Sequence, residues 1–588
     1  MSYCSSSPQK RRRDCDTNYD TIKLMTVTLG IKPYGHDTSA TIVMNGVIIA
    51  AIAEERFNRE KHSCKFPKSS IRFCIDQSGI SDINTIDEIS VCFDYLKLVY
   101  HLNVVNFFKY FPVYTFEAIT NSIYQLRKIV DTNAQFKRLG YTGKVRFLNH
   151  HDCHAASTYY TSTFTEAAII TVDGRGEHEA TCIYSASGAN IKKLTQVNYP
   201  NSLGAFYSCI TEFLGFKENE DEGKVMGLAP YGDLSLVEAM NDVLKVGANG
   251  YELDLSYFYF QKKPSENVSK KFVSIFGQPR NKDDELTQHH MNIARAAQDV
   301  LEKALLALAK KAKDSTGASN LCISGGVALN SVGNGKIAQA AIFDSIFIYP
   351  AAGDDGASAG AALLSYYSLR PKERVLSLTN QSPYLGPDFL DKNVEAALTK
   401  YSLSWIKPTN LEDYVAALLA DNKFVGWYQG RAEFGPRALG NRSILANPRL
   451  AENKDHVNER IKFREHFRPF APSTTLEDAR NYFELGTTKE SPYMILAFNV
   501  KKDKQIEIPA VTHVDGTARV QTVTQEGNLR YWKLLKAFQK QTGTPVLMNT
   551  SFNIMGEPIV NTPEQAVKCF LGCGLDTLVI GDYVISKE

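Results

Sequence analysis

Short runs in which apolar and polar residues alternate predict two similar sets of three strands in the first 200 residues. The first set covers residues 24–31, 40–44 and 47–53, and Asn45-Gly46 supplies a two-residue hairpin turn between the last two. The second set covers residues 166–172, 180–184 and 191–197. Because only two copies occur, the pattern predicts a duplicated architecture and not a solenoid.

A helical period follows, from about residue 291 to residue 315, and strands then alternate with helices. Strand 320–324 leads through a Gly-Gly turn into a helix from Val327, and strand 345–349 leads through an acidic turn into a helix over 356–365. This alternation is typical of a largely covered α/β sheet. A second α/β domain is predicted from helices over 411–420, 530–541 and 563–570 and strands over 424–428, 545–548 and 577–580.

The length of 588 residues is too great for one hydrophobic core, so at least two domains are expected. Residues 1–24, with basic residues at positions 10–13, predict a disordered tail. We expect an N-terminal domain over 25–368 and a C-terminal domain over 385–588. The stretch 369–384, rich in Pro, Ser and Arg, is the predicted linker.

Composition excludes several classes of protein. A hydrophobic content of 44% and a charged content of 22% are those of an ordinary globular protein. The net charge of +2 gives no support for a nucleic-acid or anionic-membrane partner, and no apolar run approaches the ~20 residues that span a bilayer. Eleven scattered cysteines without a Cys-x-x-Cys pair indicate reduced thiols, so a cytoplasmic location is expected.

The segment QGRAEFGPRALGNRSILANPR, residues 429–449, places four arginines among small residues. Glycine and alanine allow close approach of the backbone, while planar guanidinium groups match phosphate or carboxylate oxygens. We therefore predict an anion site, most simply for phosphates, formed by Arg431, Arg437, Arg442 and Arg449. The alternative is a solvated basic loop.

A metal site is predicted near Asn149, which is placed to cap a helix. His150 and His154 are four residues apart and so share a helical face. Asp173 and Asp354 each follow a predicted strand, where side chains point into the ligand cleft of an α/β domain. Such a set suits Fe(II), Mn(II) or Zn(II) without selecting among them, and a purely structural histidine pair remains the alternative.

Two turns between strand and helix are candidates for a nucleotide site. Ser324-Gly325-Gly326, with Asn330 beyond it, and Asp354-Asp355-Gly356 both open a helix, where bare amides and the helix dipole favour phosphate. The Gly-rich segment 222–232 is expected to be a loop that walls the cleft or acts as a lid, although it equally fits an ordinary turn.

The C-terminal part contains a group of cationic residues, although the chain as a whole is nearly neutral. Lys462 and Arg464 are two apart on a predicted strand and hence on one face, and Arg468 and Arg519 follow. These cations would repel one another unless an anionic ligand lay among them, so a polyphosphate ligand is expected.

Eight segments together make the chain similar to the O-carbamoyltransferases of secondary metabolism, which modify nodulation factors, cephalosporins, aminoglycosides and ansamycins. The segments are HDTSA, HHDCHAAS, VDGRGE, EGKVMGLAPYG, SGGVALNS, QGRAEFGPRALGNRS, REHFRPFAPS and TSFN. The resemblance spans residues 25–587. It implies an actin-like ATPase-fold (ASKHA) N-terminal domain and a YrdC-like α/β C-terminal domain.

By that resemblance, the C-terminal domain forms carbamoyl adenylate from carbamoyl phosphate and the magnesium complex of ATP, and releases pyrophosphate. The N-terminal domain then transfers the carbamoyl group to a hydroxyl of a small-molecule natural product. The residues implied for ATP and carbamoyl phosphate are Lys462, Arg464, Ser551, Asn553, Arg437, Arg468 and Arg519, with Arg431 and Arg442 beside them.

For the N-terminal domain the resemblance implies the metal ligands His150, His154, Asp173 and Asp354, with Fe2+ favoured over Zn2+ and Mn2+. It also implies an adenylate site at Gly325, Gly326, Asn330 and Asp355. His36 is the candidate base, because imidazole titrates near neutrality, and Lys61 is the candidate that orients the acceptor or the leaving phosphate.

Three alternatives stay open: carbamoyl transfer to a nucleic acid, a sugar-kinase-like phosphotransferase, and an inactive nucleotide-binding regulator. Residues 95–114 are aromatic-rich and either shape acceptor specificity or form a packed helix pair. The acceptor is not identified by the sequence. A monomer or a homodimer is expected.

Overall fold

A computed structural model describes residues 25–101, 115–248, 250–259, 267–372 and 374–587. The strands within those ranges are β1 Val27–Lys32, β2 Ser39–Met44, β3 Val47–Ala53, β4 Glu88–Val91, β5 Val145–Phe147, β6 Glu166–Val172, β7 Glu179–Ser187, β8 Asn190–Asn198, β9 Leu244–Gly247, β10 Gly250–Leu253, β11 Asn320–Ser324, β12 Ser345–Ile348, β13 Val425–Tyr428, β14 Arg442–Ala446, β15 Ala471–Thr475, β16 Ala497–Asn499, β17 Thr517–Arg519, β18 Gln521–Val523, β19 Val546–Ser551, β20 Thr577–Ile580 and β21 Tyr583–Ser586.

The α-helices in the same ranges are α1 Glu55–Asn58, α2 Lys68–Ser78, α3 Tyr95–Leu98, α4 Thr115–Arg138, α5 His150–Tyr159, α6 Leu203–Phe213, α7 Glu222–Leu228, α8 Val237–Val243, α9 Lys270–Phe276, α10 Gln288–Thr316, α11 Ser331–Gln339, α12 Ala357–Leu369, α13 Asp391–Lys400, α14 Leu411–Ala420, α15 Glu452–His456, α16 Leu476–Tyr482, α17 Leu529–Thr542 and α18 Pro563–Leu571. A π-helix, Val457–Lys462, continues from α15. No helix in the described ranges combines the length and apolar character needed to cross a membrane.

The N-terminal part contains two five-stranded sheets with the same topology. The first has the order β3-β2-β1-β4-β5 and the second, read in the equivalent direction, β8-β7-β6-β11-β12. In each sheet the first three strands form an antiparallel meander, and the remaining two join in parallel. This repetition confirms the predicted duplicated, actin-like α/β architecture, including the Asn45-Gly46 hairpin between β2 and β3.

Helix α12 packs closely against α5 and against β1. An added Cβ on Gly360 of α12 would lie 1.8 Å from the carbonyl oxygen of Cys153 in α5, and one on Gly30 of β1 would lie 2.0 Å from that of Ser358. Only glycine allows backbones to approach so closely. This packing fixes the position of α5, which begins at His150.

The C-terminal part is built on a seven-stranded mixed sheet with the order β18-β15-β19-β14-β13-β20-β21, so the predicted second α/β domain is confirmed. Trp427 and Tyr531 are among its fully buried side chains. Arginines of the N-terminal part contact this domain directly. Arg56 Nη2 donates to Gly435 O at 2.8 Å, and Arg59 Nη1 donates to Ile559 O at 2.7 Å. The two parts are therefore joined by hydrogen bonds, one of which reaches the arginine-rich segment.

Two local predictions were wrong. Lys462 ends the π-helix and Phe463 adopts a left-handed φ of 50°, so Lys462 and Arg464 do not lie on a strand. Residues 222–228 form helix α7 and not a Gly-rich loop. In α7 the apolar Val225 and Leu228 are buried against the core, and this burial outweighs the low helix propensity of its glycines. The predicted tail 1–24 and most of segment 95–114 lie outside the described residues.

Candidate active sites

The four predicted metal ligands lie together in the N-terminal part. Asn149 caps α5 by accepting from Asp152 N at 3.0 Å, as predicted, and so fixes the first turn that carries His150. The Nε2 atoms of His150 and His154 are 3.1 Å apart. His150 Nε2 lies 3.1 Å from Asp173 Oδ2 and 3.2 Å from Asp354 Oδ1. All four residues are buried or nearly so, and their ligand atoms lie within 4.8 Å of one another.

The outward atom of each of these side chains is held by a different group. His150 Nδ1 lies 3.1 Å from Cys92 O, and His154 Nδ1 lies 3.3 Å from Ser324 Oγ. Asp173 Oδ1 accepts from Gly326 N at 3.0 Å, and Asp354 Oδ2 lies 2.8 Å from Lys32 Nζ. Each ligand thus keeps one nitrogen or oxygen directed at a common point, as metal sites require.

The electrostatics of the cluster favour a cation. Burial and the charge of Asp354 would raise the pKa of Asp173, but hydrogen bonds from the two histidines lower it well below its usual range. Burial would likewise raise the pKa of Asp354, but Lys32, His150 and His36 lower it strongly. Two buried carboxylates and two imidazoles suit a divalent transition metal, so the residues present fit the expected group.

Two residues that sequence reasoning missed support this cluster. Lys32 is the one charged residue of β1, VTLGIK, and its side chain is almost fully buried. Glu177 is fully buried and accepts from His150 N at 3.0 Å and from Asp94 N at 2.7 Å. An isolated lysine in an apolar strand, and the acidic end of the VDGRGE segment, were the signals available in the sequence.

The predicted adenylate residues lie beside the four candidate metal ligands, and some of their polar groups already form hydrogen bonds within the protein. Gly325 adopts a φ of 99°, and its added Cβ would lie 2.2 Å from Val172 O. The amide of Gly326 already binds Asp173 Oδ1. Asn330 caps α11 through Gly333 N at 2.9 Å and also contacts Gln298, so its polar atoms hold the helix in place. Burial, followed by the charge of Asp37, raises the pKa of Asp355 to about 7.

His36 lies at the cluster, whereas Lys61 lies on the surface. His36 Nε2 is 3.9 Å from Asp354 Oδ2, and its Nδ1 is 2.9 Å from Asp37 Oδ2. Burial lowers the pKa of His36, but the charges of Asp354 and Asp37 outweigh burial and raise it to about 9. Lys61 is exposed, and within the described ranges it makes no ion pair.

In the C-terminal part, the structure brings the predicted lysine and the Ser-x-Asn segment together. Lys462 Nζ lies 2.8 Å from Ser551 O, 3.2 Å from Ser551 Oγ and 2.5 Å from Asn553 Oδ1. Burial and the nearby charge of Arg464 lower the pKa of Lys462 well below its usual value. The ammonium group is therefore held in place by oxygens with no anion among them.

Four arginines surround this point. Burial, then the charge of Arg468, lowers the pKa of Arg437 to about 10. Burial and the charges of Arg437, Arg464 and Arg468 lower that of Arg519 well below its usual value. The Nε atoms of Arg437 and Arg519 are buried and make no hydrogen bond with the described residues. A cluster of neighbouring guanidinium groups with unpaired donors is chemically suited to binding phosphate oxygens.

Arg431 and Arg442 correct the prediction made from the arginine-rich segment. Arg442 is fully buried, stacks on Tyr428 with its guanidinium carbon 3.6 Å from the ring centre, and donates to Gly430 O at 2.9 Å. Arg431 donates to Leu385 O at 2.6 Å and to Ile49 O at 3.1 Å. Both guanidinium groups are therefore hydrogen-bonded to backbone carbonyls, so the two arginines hold the surrounding chain in place and do not face a phosphate. Of the segment's four arginines, only Arg437 reaches the cation cluster.

Comparison with known proteins identifies both parts of the chain. Residues 27–363 match the family model described as Carbamoyltransferase N-terminus, and residues 416–587 match the one described as Carbamoyltransferase C-terminus. Nodulation protein NolNO of Sinorhizobium fredii is 38% identical over 94% of this chain and 79% of its own length. The 3'-hydroxymethylcephem-O-carbamoyltransferase of Amycolatopsis lactamdurans is 38% identical over 45% of this chain and 48% of its own length.

Among solved structures, the activator of the 2-hydroxyisocaproyl-CoA dehydratase from Clostridium difficile, with bound ADPNP, covers 59% of this chain and 96% of its own length. It is 14% identical, with a TM-score of 0.32. Similarity at that level carries no inference about the reaction.

Proposed function

The chain belongs to the carbamoyltransferase family, and we propose that it is an ATP-dependent O-carbamoyltransferase acting on a hydroxyl group of a small molecule. The observation that carries the proposal is the presence of two separate sites in one chain. The C-terminal part gathers Lys462 and four arginines whose charges act on one another, and the N-terminal part gathers two histidines and two carboxylates. The first suits phosphate chemistry and the second suits a metal.

The first half-reaction is assigned to the cation cluster. Water cleaves carbamoyl phosphate to carbamate and inorganic phosphate, a carbamate oxygen attacks the α-phosphorus of ATP, and pyrophosphate leaves. Arg437, Arg468 and Arg519 are placed to stabilise the negative charge on the transferring groups. Lys462, fixed by Ser551 and Asn553, supplies a further cation. The product is carbamoyl adenylate.

The second half-reaction is assigned to the metal cluster. A divalent metal held by His150, His154, Asp173 and Asp354 would supply Lewis-acid chemistry there. The acceptor hydroxyl oxygen attacks the carbamoyl carbon, the bond from that carbon to the phosphate oxygen breaks, and AMP leaves. His36 is assigned as the base that accepts the hydroxyl proton at Nε2, the ring nitrogen nearest Asp354, a role that requires the neutral imidazole and so favours pH values near or above its pKa of about 9. Lys61 is assigned to the acceptor or to the leaving phosphate.

The nucleotide product separates this proposal from its main rival. A sugar-kinase-like enzyme transfers the γ-phosphoryl group and releases ADP, whereas adenylation releases pyrophosphate and leaves AMP after transfer. Two histidines beside two carboxylates also differ from the Mg2+ sites used in phosphoryl transfer, because Mg2+ prefers oxygen ligands to imidazole. Transfer to a nucleic acid would require a basic binding surface, and the net charge of +2 offers no support for one.

The test is to incubate the metal-loaded protein with carbamoyl phosphate, ATP and a panel of hydroxylated metabolites. We expect AMP, pyrophosphate and a carbamoylated product by mass spectrometry. The Arg519→Gln variant should form neither AMP nor pyrophosphate. The His154→Ala variant should release pyrophosphate but yield no carbamoylated acceptor. Accumulation of ADP with a phosphorylated acceptor would overturn the proposal.

A further inference from the structure

The carboxylate of Asp37 lies between two imidazole rings. Its Oδ2 is 2.9 Å from His36 Nδ1, and its Oδ1 is 2.7 Å from His62 Nδ1. Burial would raise the pKa of Asp37, but the hydrogen bonds from His36 and His62 outweigh burial and lower it strongly. Asp37 is therefore an ionised acceptor that binds both rings through the same type of nitrogen.

These contacts join two loops that carry the residues assigned to carbamoyl transfer. His36 and Asp37 lie in the turn between β1 and β2, and His62 follows Lys61 in the loop after α1. Both Asp37 and His62 adopt a left-handed backbone, with φ of 59° and 53°. The backbone of His62 is held in turn, because its amide donates to Glu55 Oε2 at 2.9 Å. Such conformations persist only where surrounding contacts fix them.

The arrangement decides how the His36 ring is oriented. A carboxylate accepts only from an N–H, so the Nδ1–H of His36 is directed at Asp37, and Nε2 on the other side of the ring faces away from Asp37. Nε2 is the atom that lies 3.9 Å from Asp354 Oδ2. The orientation of His36 toward the metal cluster thus depends on Asp37, and the orientation of Asp37 depends on His62.

We propose that Asp37 and His62 are positioning residues for His36, and that the hydrogen bond between them fixes the two loops of the transfer site relative to each other. The inference rests on the proposed function, because it concerns the orientation of the base assigned there. Neither Asp37 nor His62 is proposed to contact the substrate.

A second metal is the competing interpretation of the same residues. Asp37, Glu55 and His62 have ligand atoms close enough to hold an ion. Their atoms are already paired, however: Asp37 uses both oxygens on histidines, and Glu55 uses one on the amide of His62 and one on Arg56, at 3.2 Å. Metal content therefore forms part of the test.

The experiment compares four variants of the metal-loaded protein. Asp37→Asn removes the acceptor for His36, His62→Leu removes the donor to Asp37, and His62→Asn keeps that donor because the amide nitrogen of Asn overlays Nδ1 of histidine. Asp76→Asn, an exposed change in α2, is the matched control. Pyrophosphate release, bound metal, and the kcat and KM of carbamoyl transfer are measured for each.

We expect the transfer kcat to fall about 100-fold in Asp37→Asn and about 10-fold in His62→Leu, within the range of general-base catalysis. His62→Asn and Asp76→Asn should match the parent protein. Pyrophosphate release and bound metal should be unchanged throughout. Equal rates for His62→Leu and His62→Asn would overturn the role of the hydrogen bond, and loss of a second equivalent of metal would support the competing metal site instead.

Crystal structures of the same variants keep this inference separate from the proposed function. The His36 ring should keep its orientation in His62→Asn and rotate away from Asp354 in Asp37→Asn, whatever reaction the protein catalyses. If the parent protein carbamoylates no acceptor but the ring rotates as expected, the proposed function fails and the positioning role stands. An unmoved ring in Asp37→Asn would overturn the positioning role by itself.

Discussion

Lys32 and Asp354 form a buried ion pair in which Nζ lies 2.8 Å from Oδ2, the carboxylate oxygen that does not face His150. The same ammonium group donates to Tyr34 O at 2.9 Å and to His36 O at 3.4 Å. One lysine therefore joins a candidate metal ligand to the loop that carries the candidate base. Its positive charge also offsets one of the two buried carboxylates of the cluster.

Replacing Lys32 by Met should destabilise the metal-free protein more than the metal-bound one. Without the ammonium group, Asp354 loses the charge that contributes most to lowering its pKa when no metal is bound, and breaking a buried ion pair costs about 3–5 kcal/mol. A divalent cation restores the balance of charge. The Tm measured with chelator should therefore fall, and added metal should raise the Tm of Lys32→Met by more than it raises that of the parent protein.

Lys32→Arg is the control for this prediction, because it keeps the charge and should respond to metal as the parent protein does. Equal metal-induced shifts in the parent protein and in Lys32→Met would show that the ion pair does not balance the charge of the cluster.

Neutralising one arginine of the cation cluster should stabilise the protein while abolishing its activity. Arg519 is surrounded by the charges of Arg437, Arg464 and Arg468, and its Nε is buried without a partner among the described residues. Removing one of several neighbouring like charges should raise the free energy of unfolding by about 1–2 kcal/mol. Arg519→Gln should therefore melt at a higher temperature without ligand and release no pyrophosphate from ATP.

Pyrophosphate should also raise the Tm of the parent protein more than that of Arg519→Gln, because a bound anion relieves the same repulsion. Lys310→Gln, an exposed change on α10, controls for net charge and should leave both quantities unchanged. A lower Tm for ligand-free Arg519→Gln would contradict the view that the arginines repel one another.

Arg437 and Arg442 are five residues apart in one segment, but the same substitution should have different effects on them. Replacement by Met should remove activity at Arg437 and stability at Arg442. Arg442→Met leaves several buried carbonyls without donors, among them Gln429 O and Gly430 O, each at about 1–3 kcal/mol. We expect a loss of at least about 3 kcal/mol in denaturant unfolding. Arg437→Met should fold normally but lose pyrophosphate release. A normal unfolding free energy for Arg442→Met would return that residue to the list of ligand contacts.

The proximity of the four candidate metal ligands could be predicted from the sequence because its signals are local. The four-residue spacing of His150 and His154 fixes a shared helical face, and an acid directly after a buried strand has few directions available to it. Lys32 could not be predicted, because its role depends on Asp354, more than 300 residues away. A single lysine at the end of an apolar strand usually reaches solvent.

The arginine-rich segment shows that composition alone does not reveal which groups each arginine contacts. The sequence shows that Arg431, Arg437 and Arg442 are close along the chain, but not which backbone carbonyls the fold brings within reach of each guanidinium group. Those carbonyls come partly from Ile49 and Leu385, which only the fold brings near. The strand predicted for Lys462 and Arg464 failed for a similar reason, since an alternation over three residues is too short to outweigh the packing of a π-helix.

The contact between α5 and α12 should set the affinity for metal, although neither Gly360 nor Cys153 touches the ligand atoms. In Gly360→Ala the new methyl group would lie 1.8 Å from Cys153 O, so α5 must move, and with it His150 and His154. Overpacking of this kind costs about 1–3 kcal/mol. We therefore expect a lower Tm and weaker metal binding by titration calorimetry.

Gly223→Ala in α7 is the control for this prediction, because its new methyl group meets no atom within 4 Å and it should bind metal as the parent protein does. If Gly360→Ala lost stability but bound metal with unchanged affinity, α5 would be adjusting without moving its histidines, and their geometry would have to be set by Cys92 and Ser324 instead.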